Sequence, residues 1–292
     1  MTRLPAVLAA TDFSPRSAQV VGRAAALARV LGARLVVVHV RPERAEGPRL
    51  AIPGGPVRPL LARLGLVGRG MTDEAAAGHL AAAAAHAGGG AVTRLLTGRP
   101  EAAIAAAAAE EGAALIVLGL HRERRVLDAL RLTTMERIVL EAPVPVLIAH
   151  QPPQRPYARV LALTDFSPGS VAALAMAARI APGAELHAVH ALQIPLVAAV
   201  AAGEAAEDRA LVQAELMRAA FLVLPEVPHL AAPPELVPGG VHEVLEFRRR
   251  ELGADLVCIG SQSGSRPDAL GHYARDLMRA PPTDLLVAKP AV

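Results

Sequence analysis

Tryptophan and asparagine are missing from this chain, aromatic residues make up only 2% of it, and lysine occurs once, at Lys289, among 30 basic residues. With so few rings to stack on bases and with its arginines spread along the chain, the sequence lacks the footprint of a nucleic-acid binder, despite a net charge of +3 and a pI near 9.7. The single cysteine, Cys258, lies inside the apolar run LVCIG, so no internal disulfide exists and a reducing, cytoplasmic setting is expected. The first apolar stretch is interrupted by Asp12 and is too short for a secretory signal. The longest, residues 192–202, contains Pro195 and is too short to span a bilayer, so no membrane partner is expected. The Asn-free, Ala- and Arg-rich composition fits GC-rich coding somewhat better than heat adaptation.

What is present points to packed cores: hydrophobic residues reach 53% and charged ones 20%. At 292 residues the chain is long for one domain, given about 150 residues per domain. A repeat supports two domains. TDFSPRS at residues 11–17 returns as TDFSPGS at 164–170, GAALIVLG at 112–119 as GADLVCIG at 253–260, and VPVLIAH as TDLLVAK. We read a first domain over 1–150, a proline-stiffened linker over 151–157 and a second domain over 158–292. Continuous apolar runs such as AVLAAT and RLVVVHV alternate with segments of helical periodicity in both halves, the pattern of parallel strands covered by helices. The expected class is α/β, two tandem five-stranded parallel sheets, with a weak strand near 227–237 and a long Gly- and Pro-rich insertion over 42–72 that reads as a flap or interaction loop.

In open α/β sheets ligands settle at the carboxyl ends of strands where strand order reverses. Asp12 and Asp165 follow first strands, and Gly119 and Gly260 follow fourth strands, so each set can converge on one crevice. Asp at such a turn also serves as a local cap, and the sequence leaves both roles open. His39 and His190, inside apolar strands, read as core residues, and the spacing of His79 and His86 does not suit a helical zinc pair. There is no Walker loop and no nucleophile elbow. Neither a catalytic set nor a metal site is expected.

The TDFS turn, the HV ending of the second strand, GRPEAAIAAAAAEEGAALIVLG and ERIVLEAPVPVLIA together resemble the universal stress protein family in its tandem form, over essentially the whole chain. The resemblance implies a Rossmann-like, adenine nucleotide alpha hydrolase-like sandwich, a family in which many members bind ATP and others do not. It implies that the first-strand Asp approaches a ribose, that main chain at Val40 or Ala191 meets adenine, and that a glycine loop after the fourth strand holds phosphates. Main-chain N–H groups freed by glycine, with a helix N-terminus behind them, suit that task. In the first half Arg122 and Leu132 stand where the loop's later glycines would be, so family-type ATP binding is expected to be lost there. The candidate residues are Thr11, Asp12, Val40, Gly119, Arg122 and Thr133. In the second half the glycines survive in altered register, and the candidates are Thr164, Asp165, Ala191, Gly260, Ser261, Ser263, Gly264, Gly271 and His272. The expectation is a non-enzymatic stress-response protein taking ATP, with Mg, or another adenine nucleotide in its second half. The competing expectation is an interaction module that binds no nucleotide. The resemblance also implies that residues 144–149 and 285–289 pair the halves as an intramolecular pseudo-dimer. The sequence leaves open whether two chains then associate.

Overall fold

Each half opens with a short buried strand and lays down alternating helices and strands. The computed structural model describes residues 4–14, 16–41, 72–120, 132–150, 152, 155–193, 204–262 and 269–290. Most of the 42–72 insertion, together with Arg122, Ser263 and Gly264, lies outside the described residues. The first half runs β1 (Ala6–Ala10), α1 (Ser17–Val30), β2 (Arg34–Arg41), α2 (Asp73–His86), β3 (Val92–Thr97), α3 (Pro100–Glu110), β4 (Ala113–Gly119), α4 (Thr134–Glu141) and β5 (Val146–Ala149). The second half follows with β6 (Arg159–Leu163), α5 (Pro168–Ile180), β7 (Glu185–Leu192), α6 (Glu204–Leu222), β8 (Glu235–Pro238), α7 (Val241–Leu252), β9 (Leu256–Gly260), α8 (His272–Arg279) and β10 (Asp284–Ala288).

The strands form one ten-stranded sheet in the order β3-β2-β1-β4-β5-β10-β9-β6-β7-β8. All neighbours are parallel except β5 and β10, which meet antiparallel with Leu147 opposite Leu286. Two five-stranded parallel halves are thus joined edge to edge, which removes two apolar edges that would otherwise invite aggregation. The weak strand of the second half is shorter than expected, Glu235–Pro238 only, because Pro233 and Pro234 just before it cannot donate to a ladder. Alternation along each strand sends side chains to both faces. Leu115 and Val117 pack with α1, while Ile116 and Leu118 pack with α3 and α4, and each face's core continues across the β5–β10 join. Alanines such as Ala24 and Ala28 let these helices lie close to the sheet, in a chain with few large rings.

The join also carries buried charge. Asp284, fully buried, accepts from the His150 N–H (2.7 Å) and the Tyr157 hydroxyl (2.6 Å), and its carboxylate meets Arg23 Nε of α1 at 3.0 Å. The Arg23 guanidinium lies 4.5 Å from the centre of the Tyr157 ring and donates to the Arg155 carbonyl (3.1 Å), so one side chain from the first half grips both the connecting segment and the second half. Burial, and then the Asp284 charge, hold the Tyr157 hydroxyl well above the ordinary phenol range, which keeps it the donor. On the opposite face the chain's single lysine, Lys289, donates to the Leu140 carbonyl at 2.8 Å; burial pulls its pKa below the ordinary value.

Candidate functional site

The repeated turn is one piece of geometry built twice. In the first copy the Thr11 hydroxyl accepts from the Phe13 N–H (3.1 Å), and Asp12 Oδ1 accepts from the Ser14 N–H and the Ser17 hydroxyl (both 2.9 Å). In the second copy Thr164 accepts from the Phe166 N–H (2.9 Å), and Asp165 Oδ1 accepts from the Ser167 N–H (3.1 Å) and the Ser170 hydroxyl (2.6 Å). Tightness puts Phe13 and Phe166 in the left-handed region, at φ 58° and 61°, a conformation that costs a side-chain-bearing residue about 1–2 kcal/mol. The rings offset this by packing on His39 (4.1 Å between centroids) and His190 (4.9 Å). His39 Nδ1 lies 2.8 Å from the Thr11 carbonyl and His190 Nδ1 2.7 Å from that of Thr164; a carbonyl only accepts, so each Nδ1 carries the proton. These histidines clip the end of the first strand to the end of the second. Both aspartates therefore do perform the capping role the sequence allowed, at the rim of a crevice.

Gly119 and Gly260 close the fourth strands, and their neighbours differ. A Cβ on Gly260 would meet the Gly169 carbonyl carbon at 3.0 Å and the Ser170 nitrogen at 3.1 Å, because the first turn of α5 is pressed onto the strand end. A Cβ on Gly119 would meet Val20 Cγ2 at 2.9 Å and no described backbone atom. The first turn of α1 stands further off, with Arg16 at the position that Gly169 holds in the second copy. Gly260→Ala is expected to destabilise the chain by about 1–3 kcal/mol through overpacking against rigid backbone, read as a lower urea midpoint at unchanged slope; an unchanged midpoint would show that α5 yields freely.

The crevices differ accordingly. In the first half a cavity of about 260 Å³ opens between the ends of β1 and β4, lined by Thr11, Asp12, Ser14, Arg16, Ser17, His39, Val40 and Gly119 and floored by Ile104, Leu118, Met135 and Ile138. Of the candidates named from sequence, Thr11, Asp12, Val40 and Gly119 come together there, and Thr133 does not line it. In the second half the equivalent cavity is about 170 Å³ and is lined by Thr164, Asp165, Ala191 and Gly260 together with Gln193, Gln262 and Tyr273. Gln193 donates to the Tyr273 hydroxyl, joining the end of β7 to the start of α8 beside the cavity. Ser261, Gly271 and His272 do not line this cavity. The Ser261 N–H donates to the Ala288 carbonyl (2.7 Å), its carbonyl accepts from the Gly271 N–H (3.0 Å), and the exposed His272 meets Asp276 at 3.3 Å.

At the helix starts that follow the fourth strands the contrast reverses. Thr133 caps α4: its hydroxyl accepts from the Glu136 N–H (3.2 Å), and Glu136 Oε2 accepts from the Thr133 N–H (2.6 Å), a complete capping box. Glu136 is fully buried and is held from the other half by Arg279 Nε at 2.9 Å and Arg275 Nε at 3.5 Å. Helix α8 has Gly271 at its N-cap and no side-chain cap. The two halves thus differ: the first has the roomier crevice, the second the helix start without a side-chain cap. Cys258 is buried in β9, and burial pushes its thiol pKa up, so it is a core residue and not a nucleophile. Among the described residues no three His, Cys, Asp or Glu side chains are placed to hold a metal, and no described helix is long and apolar enough to cross a membrane.

Sequence reasoning missed Arg16, Gln193, Tyr273 and Glu136. The signal for Arg16 was in plain view, since TDFSPRS and TDFSPGS differ only there. Glu136 carried the spacing of a capping box after Thr133. For Tyr273 and Gln193, far apart in sequence, no local pattern announces their contact.

Strand order, crevice position and the twice-built turn define a tandem, Rossmann-like α/β sandwich. The profile of the universal stress protein family matches residues 5–150 and 156–289, and the chain belongs to that family. Among solved structures it resembles a universal stress protein from Archaeoglobus fulgidus at 20% identity, covering 99% of this chain and 97% of that one with a TM-score of 0.64. A functionally unknown protein from Pseudomonas aeruginosa matches at 19% identity, 99% and 93% coverage and a TM-score of 0.60. A universal stress protein from Archaeoglobus fulgidus in complex with dAMP matches half of the chain (50%, and 97% of its own) at 24% identity and a TM-score of 0.33. The first two likenesses, over the whole chain, establish the fold. No curated protein matches the chain.

Proposed function

We propose that this chain is a non-enzymatic, nucleotide-responsive universal stress protein that holds an adenine nucleotide in the crevice of its first half. The observation that carries this reading is the first crevice itself: about 260 Å³ at the strand-order reversal between β1 and β4, an apolar floor on one side and Asp12, Ser14, Arg16 and Ser17 on the other. The sequence alone favoured the second half, because its glycines survive. Geometry favours the first, because the second cavity is narrower, about 170 Å³, and has Tyr273 in its wall. Binding native protein only, such a ligand stabilises it, so the reading is tested by denaturing the purified chain, identifying released small molecules by mass spectrometry, and following melting temperature in adenosine, AMP, ADP and ATP. One adenine nucleotide per chain, or a rise in Tm that Val40→Phe removes by filling the crevice, supports it. No released nucleotide and no rise with any of the four sinks it.

One observation favours the second reading, action through protein contacts. Val212, Leu216 and Val223, at helical spacing along and just past α6, are 60%, 68% and 79% exposed, an apolar stripe of the sort that marks interaction surfaces. A nucleotide-free chain with no thermal response would transfer weight to that stripe.

A further inference from the structure

We infer that the first-half crevice is a nucleoside monophosphate site in which Arg16, and not the helix after the fourth strand, receives the phosphate; this rests on the reading of that crevice given above. The start of α4, where the family resemblance would put the anion, is partly taken. There the Thr133 N–H and the Glu136 N–H both have partners within the capping box, so of the first-turn donors only the N–H groups of Thr134 and Met135, which line the cavity, are left for an anion, above a Glu136 carboxylate that is paired with Arg279. Leu132 adds a side chain at the same point.

The other helix facing the crevice has the opposite character. Helix α1 has no acidic residue in its first turn and no side-chain cap on its backbone N–H groups; the one carboxylate beside its start, Asp12, is turned to the Ser14 N–H and the Ser17 hydroxyl. Arg16 immediately precedes it, lines the cavity and is exposed, and it forms no ion pair or side-chain hydrogen bond among the described residues. A guanidinium offers several donors in a plane and holds a phosphate through two oxygens at once. The second half has Gly169 at this position and cannot make the contact.

The cavity grades from Val40, Leu118 and Met135 to Asp12, Ser14 and Arg16. That gradient suits a flat, weakly polar body with a single anionic end. The Asp12 carboxylate between the two accepts hydrogen bonds from sugar hydroxyls and repels further negative charge. A volume of about 260 Å³ is at the small end for ligand pockets, and among the described residues Arg16 is the one guanidinium that lines it, a match for one phosphate.

The test is calorimetric titration of the full chain with adenosine, AMP and ATP, repeated on Arg16→Ala and Arg16→Lys. Expected are AMP as the tightest of the three, an Arg16→Ala affinity for AMP lower by about tenfold or more, an unchanged affinity for adenosine, and partial recovery in Arg16→Lys. AMP binding should also weaken as salt rises, more steeply in wild type than in Arg16→Ala. AMP affinity unaffected by Arg16→Ala, or ATP bound more tightly than AMP, overturns the assignment while leaving the crevice a nucleotide site. Binding of none of the three overturns the functional reading and this inference with it.

Discussion

Asp284→Ala is expected to cost the protein about 3–5 kcal/mol of stability, the largest effect of any single substitution considered. Asp284 is fully buried, and its removal leaves Arg23, 5% exposed, with a buried charge and no carboxylate. The Tyr157 hydroxyl and His150 N–H lose their acceptor at the same time. Arg23→Met, which installs the residue found at the equivalent place in the second copy (Met176), should cost clearly less, because Asp284 keeps those two hydrogen bonds. Removing Arg23 does leave a buried carboxylate without its cation, so some loss is expected. Equilibrium urea denaturation of the full chain gives both values. An Arg23→Met loss as large as that of Asp284→Ala would mean that the ion pair itself, and not the hydrogen-bonded carboxylate, fastens the two halves.

Glu136→Ala is the second large effect, about 2–3 kcal/mol, the sum of a lost cap and a lost charge-assisted contact to Arg279. Glu136→Gln separates the two contributions. A glutamine still accepts from the Thr133 N–H, so only the charge is lost, and the cost should fall to about 1 kcal/mol. Equal losses for the two variants would place the whole effect in the contact between halves. The position has a further meaning. With Leu147 opposite Leu286 at the centre of the β5–β10 ladder, Glu136 and Arg275 occupy equivalent places in the two copies and face each other at 3.5 Å. Two first halves meeting this way would oppose Glu to Glu, and two second halves Arg to Arg. The charges thus favour the pairing seen within one chain, a case of specificity gained by penalising the alternatives.

Much of this architecture can be read from the sequence because it rests on local and periodic signals. Buried strands appear as runs such as LIVLG, helices as spaced apolar residues, and the duplication as a turn spelled twice. The TDFS turn even declares its own chemistry, since Thr, Asp and Ser are the residues whose side chains bond the backbone two residues on. The site divides differently. Its wall at Thr11, Asp12, Val40 and Gly119 was legible, as were Thr164, Asp165, Ala191 and Gly260. Their relative worth was not. The sequence ranks the second half higher by counting glycines, yet Gly260 is glycine because α5 backbone lies 3.0 Å from where a Cβ would stand. Thr133 looked like a phosphate contact and is engaged in capping α4. What fixed those outcomes was the approach of one helix to a strand end and of one half to the other, distances that no spacing along the chain encodes.

On the function proposed above, the first crevice, and not the second, takes the ligand. Calorimetric titration of the full chain with AMP, beside Val40→Phe and the second-crevice variant Ala191→Phe, tests it most directly. Expected are one AMP per chain, binding lost in Val40→Phe and retained in Ala191→Phe, with unliganded melting curves showing all three proteins folded. Binding that survives Val40→Phe and disappears in Ala191→Phe would contradict it.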